Sequence, residues 1–128
     1  MTIAQANWPS ARVSYHELSE DIILYADYGQ ISQVMNNLIK NAVQAGASDI
    51  DITASIDKRE RTVINVANNG EPISETGREQ IFVPFYTTKG VSGTGVGLSL
   101  CRQIIRLNGG TINLTSSTLE ATVFTIVL

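Results

Sequence analysis

One cysteine and one histidine are all that this 128-residue chain offers of either type, too few for a disulfide framework or a thiol–imidazole metal cluster. No apolar run reaches membrane-spanning length, and the first residues lack a signal-peptide pattern. Basic tracts are missing too. Nine Lys and Arg stand against twelve Asp and Glu, a net charge of −3, and an acidic balance without a cationic stripe argues against a nucleic-acid surface. Internal repeats and low-complexity tracts are also absent. What is present is globular: 43% hydrophobic and 16% charged residues fit a single domain with a moderate core. The expectation is a soluble, cytoplasmic domain with no membrane contact of its own. Cys101 falls in a helical pattern and reads as a small core residue.

Along the chain, residues 1–11 read as a linker or frayed start, and 12–128 as the domain. Arg12 to Glu17 and Ile22 to Tyr25 have strand character. Asp27 followed by Gln30 resembles a capping box. The helix it opens is the clearest in the sequence, with Ile31, Val34, Met35, Leu38, Ile39, Ala42 and Val43 on one face and Gly46 at its end. Ile50–Ile56 and Thr62–Val66 alternate apolar and polar around Lys58-Arg59-Glu60, the pattern of a hairpin with one solvated face. A polar break follows at residues 68–72, then a short helical piece near Ser74 to Ile81, then an irregular stretch from Phe82 to Gly93. A second amphipathic helix carries Leu98, Cys101 and Ile105, with Leu100, Ile104 and Leu107, and stops at Gly109-Gly110. Two strands close the chain, near Thr111–Thr115 and Thr122–Val127. Strands with interspersed helices predict an α+β two-layer sandwich.

The residues before that second helix are Gly93-Thr94-Gly95-Val96-Gly97-Leu98. Glycines permit close backbone approach, and a helix start offers unpaired N–H groups and a positive dipole end to an anion. The run reads equally as a phosphate cradle or as a loop with glycines at its turns. It is neither a dinucleotide fingerprint, which needs G-x-G-x-x-G after a strand, nor a Walker loop, which needs G-x-x-x-x-G-K-[ST]. A phosphate-binding role would therefore belong to another nucleotide fold.

On the first long helix Asn37, Asn41 and Gln44 share a stripe bordering the apolar face, while Asn36 and Lys40 point further outward. A carboxamide oxygen is a suitable hard ligand for Mg²⁺, although polar flanks are ordinary on surface helices. Asparagine is a poor helix former, so Asn36, Asn37 and Asn41 together cost helix stability without an evident structural return.

Four segments in order resemble the N, G1, F and G2 boxes of the ATP-binding domain of sensor histidine kinases, within the gyrase–chaperone–kinase ATPase superfamily. They are Asn37-Leu38-Ile39-Lys40-Asn41-Ala42, Asn68-Asn69-Gly70-Glu71-Pro72-Ile73, Phe82-Val83-Pro84-Phe85-Tyr86-Thr87-Thr88-Lys89 and Gly93-Thr94-Gly95-Val96-Gly97-Leu98-Ser99. Each alone is weakly specific; the ordered set is not. The Phe-Tyr-Thr-Thr-Lys string resembles the nitrogen-regulator-like branch. The resemblance implies a Bergerat-type two-layer sandwich, a mixed sheet of about five strands packed on three helices. It implies ATP and Mg²⁺ as cofactors, with Asn41 on the metal that bridges the phosphates and Asn37 on the same pocket wall. Gln44 and Ala45 stand where other branches carry Lys-Tyr. Asn68 takes the place of the aspartate that accepts from the adenine amine, with Gly70 and Ile73 beside the base and Thr122 holding a water against it. Phe82 and Phe85 would anchor a lid, Lys89 would reach the phosphates, and residues 93–98 would close over them.

Two departures stand out. Asn68 replaces the acid and Pro72 a second glycine; the amide oxygen of Asn68 can still accept from the adenine amine, but charge assistance is lost, a weakening of about 1 kcal/mol. Asn37 replaces the glutamate that serves as general base in superfamily ATPases and anti-sigma serine kinases, and an amide cannot take a proton from water. A histidine acceptor brings its own nucleophile. His16 superficially resembles a phosphoacceptor box, but it lies 21 residues before Asn37 with strand-like sequence between, so it reads as a strand histidine. The resemblance therefore implies that this domain holds Mg-ATP and donates the γ-phosphate to a histidine on a separate dimerisation/phosphoacceptor domain of a sensor kinase, with a response regulator further downstream. Asn68 and Pro72 motivate an alternative, a degenerate non-catalytic nucleotide-binding or interaction module. A serine kinase of the anti-sigma type is disfavoured by Asn37.

Overall fold

A computed structural model describes residues 11–19, 22, 26–78, 80–83 and 97–128. In chain order the elements are β1 (Arg12–Glu17), α1 (Tyr28–Gln44), β2 (Asp49–Ile56), β3 (Thr62–Asn68), α2 (Glu75–Arg78), α3 (Gly97–Leu107), β4 (Thr111–Ser117) and β5 (Thr122–Val127). The five strands form one mixed sheet in the order β1-β2-β3-β5-β4. β1 runs parallel to β2, as the crossover through α1 requires, and the other pairings are antiparallel. This is the α+β sandwich, with two long helices and one single-turn helix among the described residues. The expected strand at Ile22–Tyr25 lies largely outside them.

Local chemistry sets the helix bounds. The Asp27 carboxylate accepts from the Gln30 N–H at 2.9 Å, satisfying one of the orphan donors of the first turn. At the other end Ala47 N–H reaches Ala42 C=O, Gly46 N–H reaches Val43 C=O, and Gly46 sits at φ +85°. Those paired bonds with a left-handed glycine are a Schellman stop. α3 ends the same way: Gly110 N–H bonds Ile105 C=O, Gly109 N–H bonds Arg106 C=O, and Gly109 has φ +83°.

The core lies between the helices and one face of the sheet. α1 contributes Ile31, Val34, Met35, Leu38, Ile39 and Ala42, and α3 contributes Cys101, Ile104 and Ile105. Ile50, Ile52, Ile64, Val66, Ile112, Phe124 and Ile126 meet them from the strands. Each fully buried aliphatic contributes about 1.5–3 kcal/mol. The opposite face is half-solvated, where Thr125 donates to Asn65 Oδ1 at 2.7 Å and touches the Thr115 hydroxyl. Two expectations need adjustment. Leu107 is 78% exposed: it lies about 120° round the helix from Cys101, at the edge of the apolar arc. Ala11, assigned to the linker, is buried against the core. Among the described residues no helix is long and apolar enough to cross a membrane.

Candidate nucleotide-binding site

At one end of the sheet the register lines up Ile50, Asn68, Thr122 and Ser117 across β2, β3, β5 and β4. Three of these four are polar, and all three are buried, at 6%, 2% and 4% exposure for Asn68, Thr122 and Ser117. Burying three polar side chains in a row is unfavourable unless each is partnered. Ser117 Oγ and Thr122 Oγ1 lie 2.7 Å apart, and Ser117 Oγ accepts the Ile73 N–H at 2.8 Å. Asn68 Oδ1 accepts the Gly70 N–H at 2.9 Å.

Ser117 reaches this row through a β-bulge. The pairing Leu114↔Phe124 would continue as Ser116↔Thr122, but the irregularity between Leu114 and Ser116 advances it to Ser117↔Thr122. Arg78 in α2 then donates to the Ser117 carbonyl, and its Nε approaches Ile73 C=O at 3.5 Å. Ser117 and Arg78 were not singled out from the sequence. Ser117 becomes visible only when the β4–β5 register is known, and Arg78 only when Ile73 and Ser117 are adjacent.

The end of α1 closes over this row. Ala45, its C-cap, accepts the Glu71 N–H at 2.8 Å. A Cβ added to Gly70 would sit 3.0 Å from Ala45 Cβ, Ala45 O and Asn68 Oδ1 together, so the backbone passes here only because residue 70 lacks a side chain. Asn69 fixes the turn from outside. Its Oδ1 accepts from Ser48 and Asp49 N–H at 2.9 and 3.0 Å, and its Nδ2 donates to Ser48 Oγ. Ala45, Asn68, Gly70, Ile73 and Thr122 are thus brought into one connected network.

The remaining predicted positions lie around it. Asn37 and Asn41 are half-buried on α1, while Gln44 is exposed at its last turn. The Asn37 side chain lies close enough to Cys101 on α3, four positions after Gly97, to influence its thiol, so the start of α3 runs beside this stretch of α1. Leu98 packs against the core. Phe82 stands edge-on to Phe124 with ring centroids 6.2 Å apart, and the Arg102 guanidinium carbon lies 3.9 Å from the Phe82 centroid. That arrangement anchors the residue from which the next segment departs. Phe85, Lys89, Gly93, Thr94, Gly95 and Val96 lie outside the described residues. His16 is exposed on β1 opposite Thr53.

The polar row and the α1 stripe carry only amides and hydroxyls; among the described residues the one formal charge beside them is the Arg78 guanidinium, which donates to the Ser117 and Ile73 carbonyls. No group of three or more His, Cys, Asp or Glu that could hold a metal occurs among the described residues. A hard divalent cation prefers carboxylate and phosphate oxygens, with amide oxygens as supplementary ligands. Asn41 fits Mg²⁺ as one such ligand, provided that phosphates bring most of the negative charge.

The chain resembles known proteins over most of its length. Residues 26–128 match the family model described as histidine kinase-, DNA gyrase B-, and HSP90-like ATPase. Sporulation kinase D of Bacillus subtilis is 32% identical over 127 residues, covering 98% of this chain and 25% of that protein. Sensor histidine kinase ZraS of Salmonella typhimurium is 36% identical over 105 residues, covering 80% of this chain and 22% of that one. The chain therefore spans about a quarter of the length of these curated relatives. Among solved structures, the catalytic domain of histidine kinase ThkA superposes with a TM-score of 0.80 at 35% identity, covering 97% of this chain and 82% of that chain.

Proposed function

Because the chain belongs to the family of histidine kinase-, DNA gyrase B- and HSP90-like ATPases, we propose that it is the nucleotide-holding half of a sensor histidine kinase, binding Mg-ATP and presenting the γ-phosphate to a histidine on a separate dimerisation domain. The observation that carries this reading is the buried polar row Asn68–Thr122–Ser117, floored by the sheet and closed by Gly70 against the end of α1. Ligand sites rely on a small number of fixed polar groups for orientation and specificity, and this row supplies such groups. The base would lie on Gly70 and Ile73, with Asn68 and Thr122 reading its edge.

Asn41 would hold Mg²⁺ together with the phosphates, and Asn37 and Gln44 would line the wall above them. When bound, the metal neutralises phosphate charge. This chain's own residues orient the nucleotide and exclude water, and phosphoryl transfer asks little more than positioning and electrostatics of such a domain. Asn37 is an amide with no basic lone pair for water, which supports transfer to a group that brings its own nucleophile over hydrolysis. The glycine run and Lys89 would cover the phosphates.

The test is γ-labelled Mg-ATP incubated with this chain and a supplied histidine-bearing dimerisation domain. Acid-labile label on that histidine, lost with Asn41→Ala, is the expected outcome. Label on serine would favour the serine-kinase reading. Calorimetric binding of Mg-ATP without transfer to any acceptor would sink the kinase assignment and leave a binding module.

A further inference from the structure

Asn68 is fixed more tightly than its presence in a pocket requires. Its Oδ1 accepts from the Gly70 N–H at 2.9 Å, and a backbone N–H can only donate. The reversed amide would set Nδ2–H against Gly70 N–H at that same distance, donor facing donor. The orientation of this carboxamide is therefore dictated by its neighbour. With the oxygen turned to Gly70, the Nδ2 donors turn the other way. No described residue takes a hydrogen bond from them, although the side chain is only 6% exposed. A buried donor without a partner is costly, so this one is poised for an acceptor supplied by a ligand.

We propose that Asn68 sets the base preference of the pocket toward purines carrying a 6-oxo group, hypoxanthine and guanine, which bind at least as tightly as adenine. The inference rests on the nucleotide-binding reading above, which puts the 6-position of the base at residue 68. A 6-amino group brings N–H donors to the Asn68 Nδ2 donors, while the oxygen that could accept them is turned toward Gly70. A 6-oxo group brings the lone pairs that Nδ2 lacks. A carboxylate at this position would present only acceptors and reverse the preference. Sites built around one hydrogen-bond polarity discriminate sharply against the opposite one, because the mismatch leaves buried groups unpaired.

Calorimetric titration of the chain with Mg-ATP, Mg-ITP and the Mg-complex of purine riboside triphosphate tests this on the unaltered protein. ITP differs from ATP at the 6-position of the base without adding the 2-amino group of guanine, and purine riboside carries only hydrogen there. The expected result is ITP binding as tightly as ATP or tighter, with purine riboside triphosphate weaker than ITP. Asn68→Asp should then shift the ATP-to-ITP preference toward ATP by about tenfold or more. ATP binding more tightly than ITP in the unaltered chain overturns the proposal whatever the variant does, so a variant that failed to fold would leave the question decided. If none of the three binds, the nucleotide reading itself fails and the base preference falls with it. Tight ATP binding with weak ITP binding removes the base preference alone.

Discussion

Cys101 is fully buried on α3, its sulfur 3.8 Å from the Val34 carbonyl oxygen. Burial pushes its thiol from the ordinary 9.0 up to about 11, against a smaller opposing effect of the Asn37 amide. Below pH 9 the thiol is neutral whether the chain is folded or not, and its contribution to stability does not change. Between pH 9 and 11 the unfolded chain releases the proton and the folded chain keeps it, so stability falls as pH rises through that window. Denaturant unfolding at pH 7.5 and 10.5 should show the unaltered protein losing roughly 2 kcal/mol more than Cys101→Ala over the interval. Parallel losses would mean that the thiol ionises as easily folded as unfolded. The core placement of Cys101 was legible from helical periodicity alone. Its nearness to Asn37 was not, because periodicity assigns a face of a helix and says nothing about which residue of another helix meets it. The same holds for Asn68: the sequence gives its type, while the direction of its amide follows from Gly70 being within reach.

Between elements, Asn108 joins the two long helices end to end. It follows the last residue of α3, where its Nδ2 donates to Ile104 C=O at 2.8 Å and to Gln30 Oε1 at 2.9 Å, and its Oδ1 accepts the Asp27 N–H at 3.1 Å. One side chain thus closes the C-terminus of α3 and holds the N-cap residue of α1. Asn108→Ala should cost about 1–2 kcal/mol, and amide exchange should quicken first in the opening turn of α1. Exchange quickening only in α3 would show that the bridge to Asp27 and Gln30 carries no energy. Local signals made α1 readable at both ends, through Asp27 and Gly46, and the β2–β3 hairpin readable through its alternation. Three features escaped. The bulge near Thr115 hides the true end of β4, because a register shift leaves no trace in an alternating pattern. The Asn69 clasp on Ser48 and Asp49 is a contact between distant residues that no short window contains. Leu107 matched the apolar spacing yet sits at the edge of the arc.

Taken whole, the molecule is an acidic domain, net charge −3, with a candidate site of amides and hydroxyls for a ligand that is itself a polyanion. The one described cation at the site, Arg78, is engaged by the Ser117 and Ile73 carbonyls, and among the described residues no acidic cage is present to gather a free metal. The metal should therefore enter only as the nucleotide complex, its charge balanced by phosphates before Asn41 contributes. The site also draws on both layers of the fold, Asn37 and Asn41 from a helix and Asn68 and Thr122 from the sheet, so a ligand seated there binds the folded state and has no counterpart in the unfolded chain. Mass action then converts occupancy into stability: a ligand at one hundred times its dissociation constant contributes about 2.7 kcal/mol, which raises the midpoint of a domain this size by about 8 °C. Thermal unfolding should accordingly show that shift with Mg-ATP, little with ATP in excess chelator, and none with Mg²⁺ alone. A comparable shift from Mg²⁺ alone would place a metal site elsewhere in the chain. An equal shift from ATP in chelator would show that the phosphates are held without the metal, and Asn41 would lose the role given to it here.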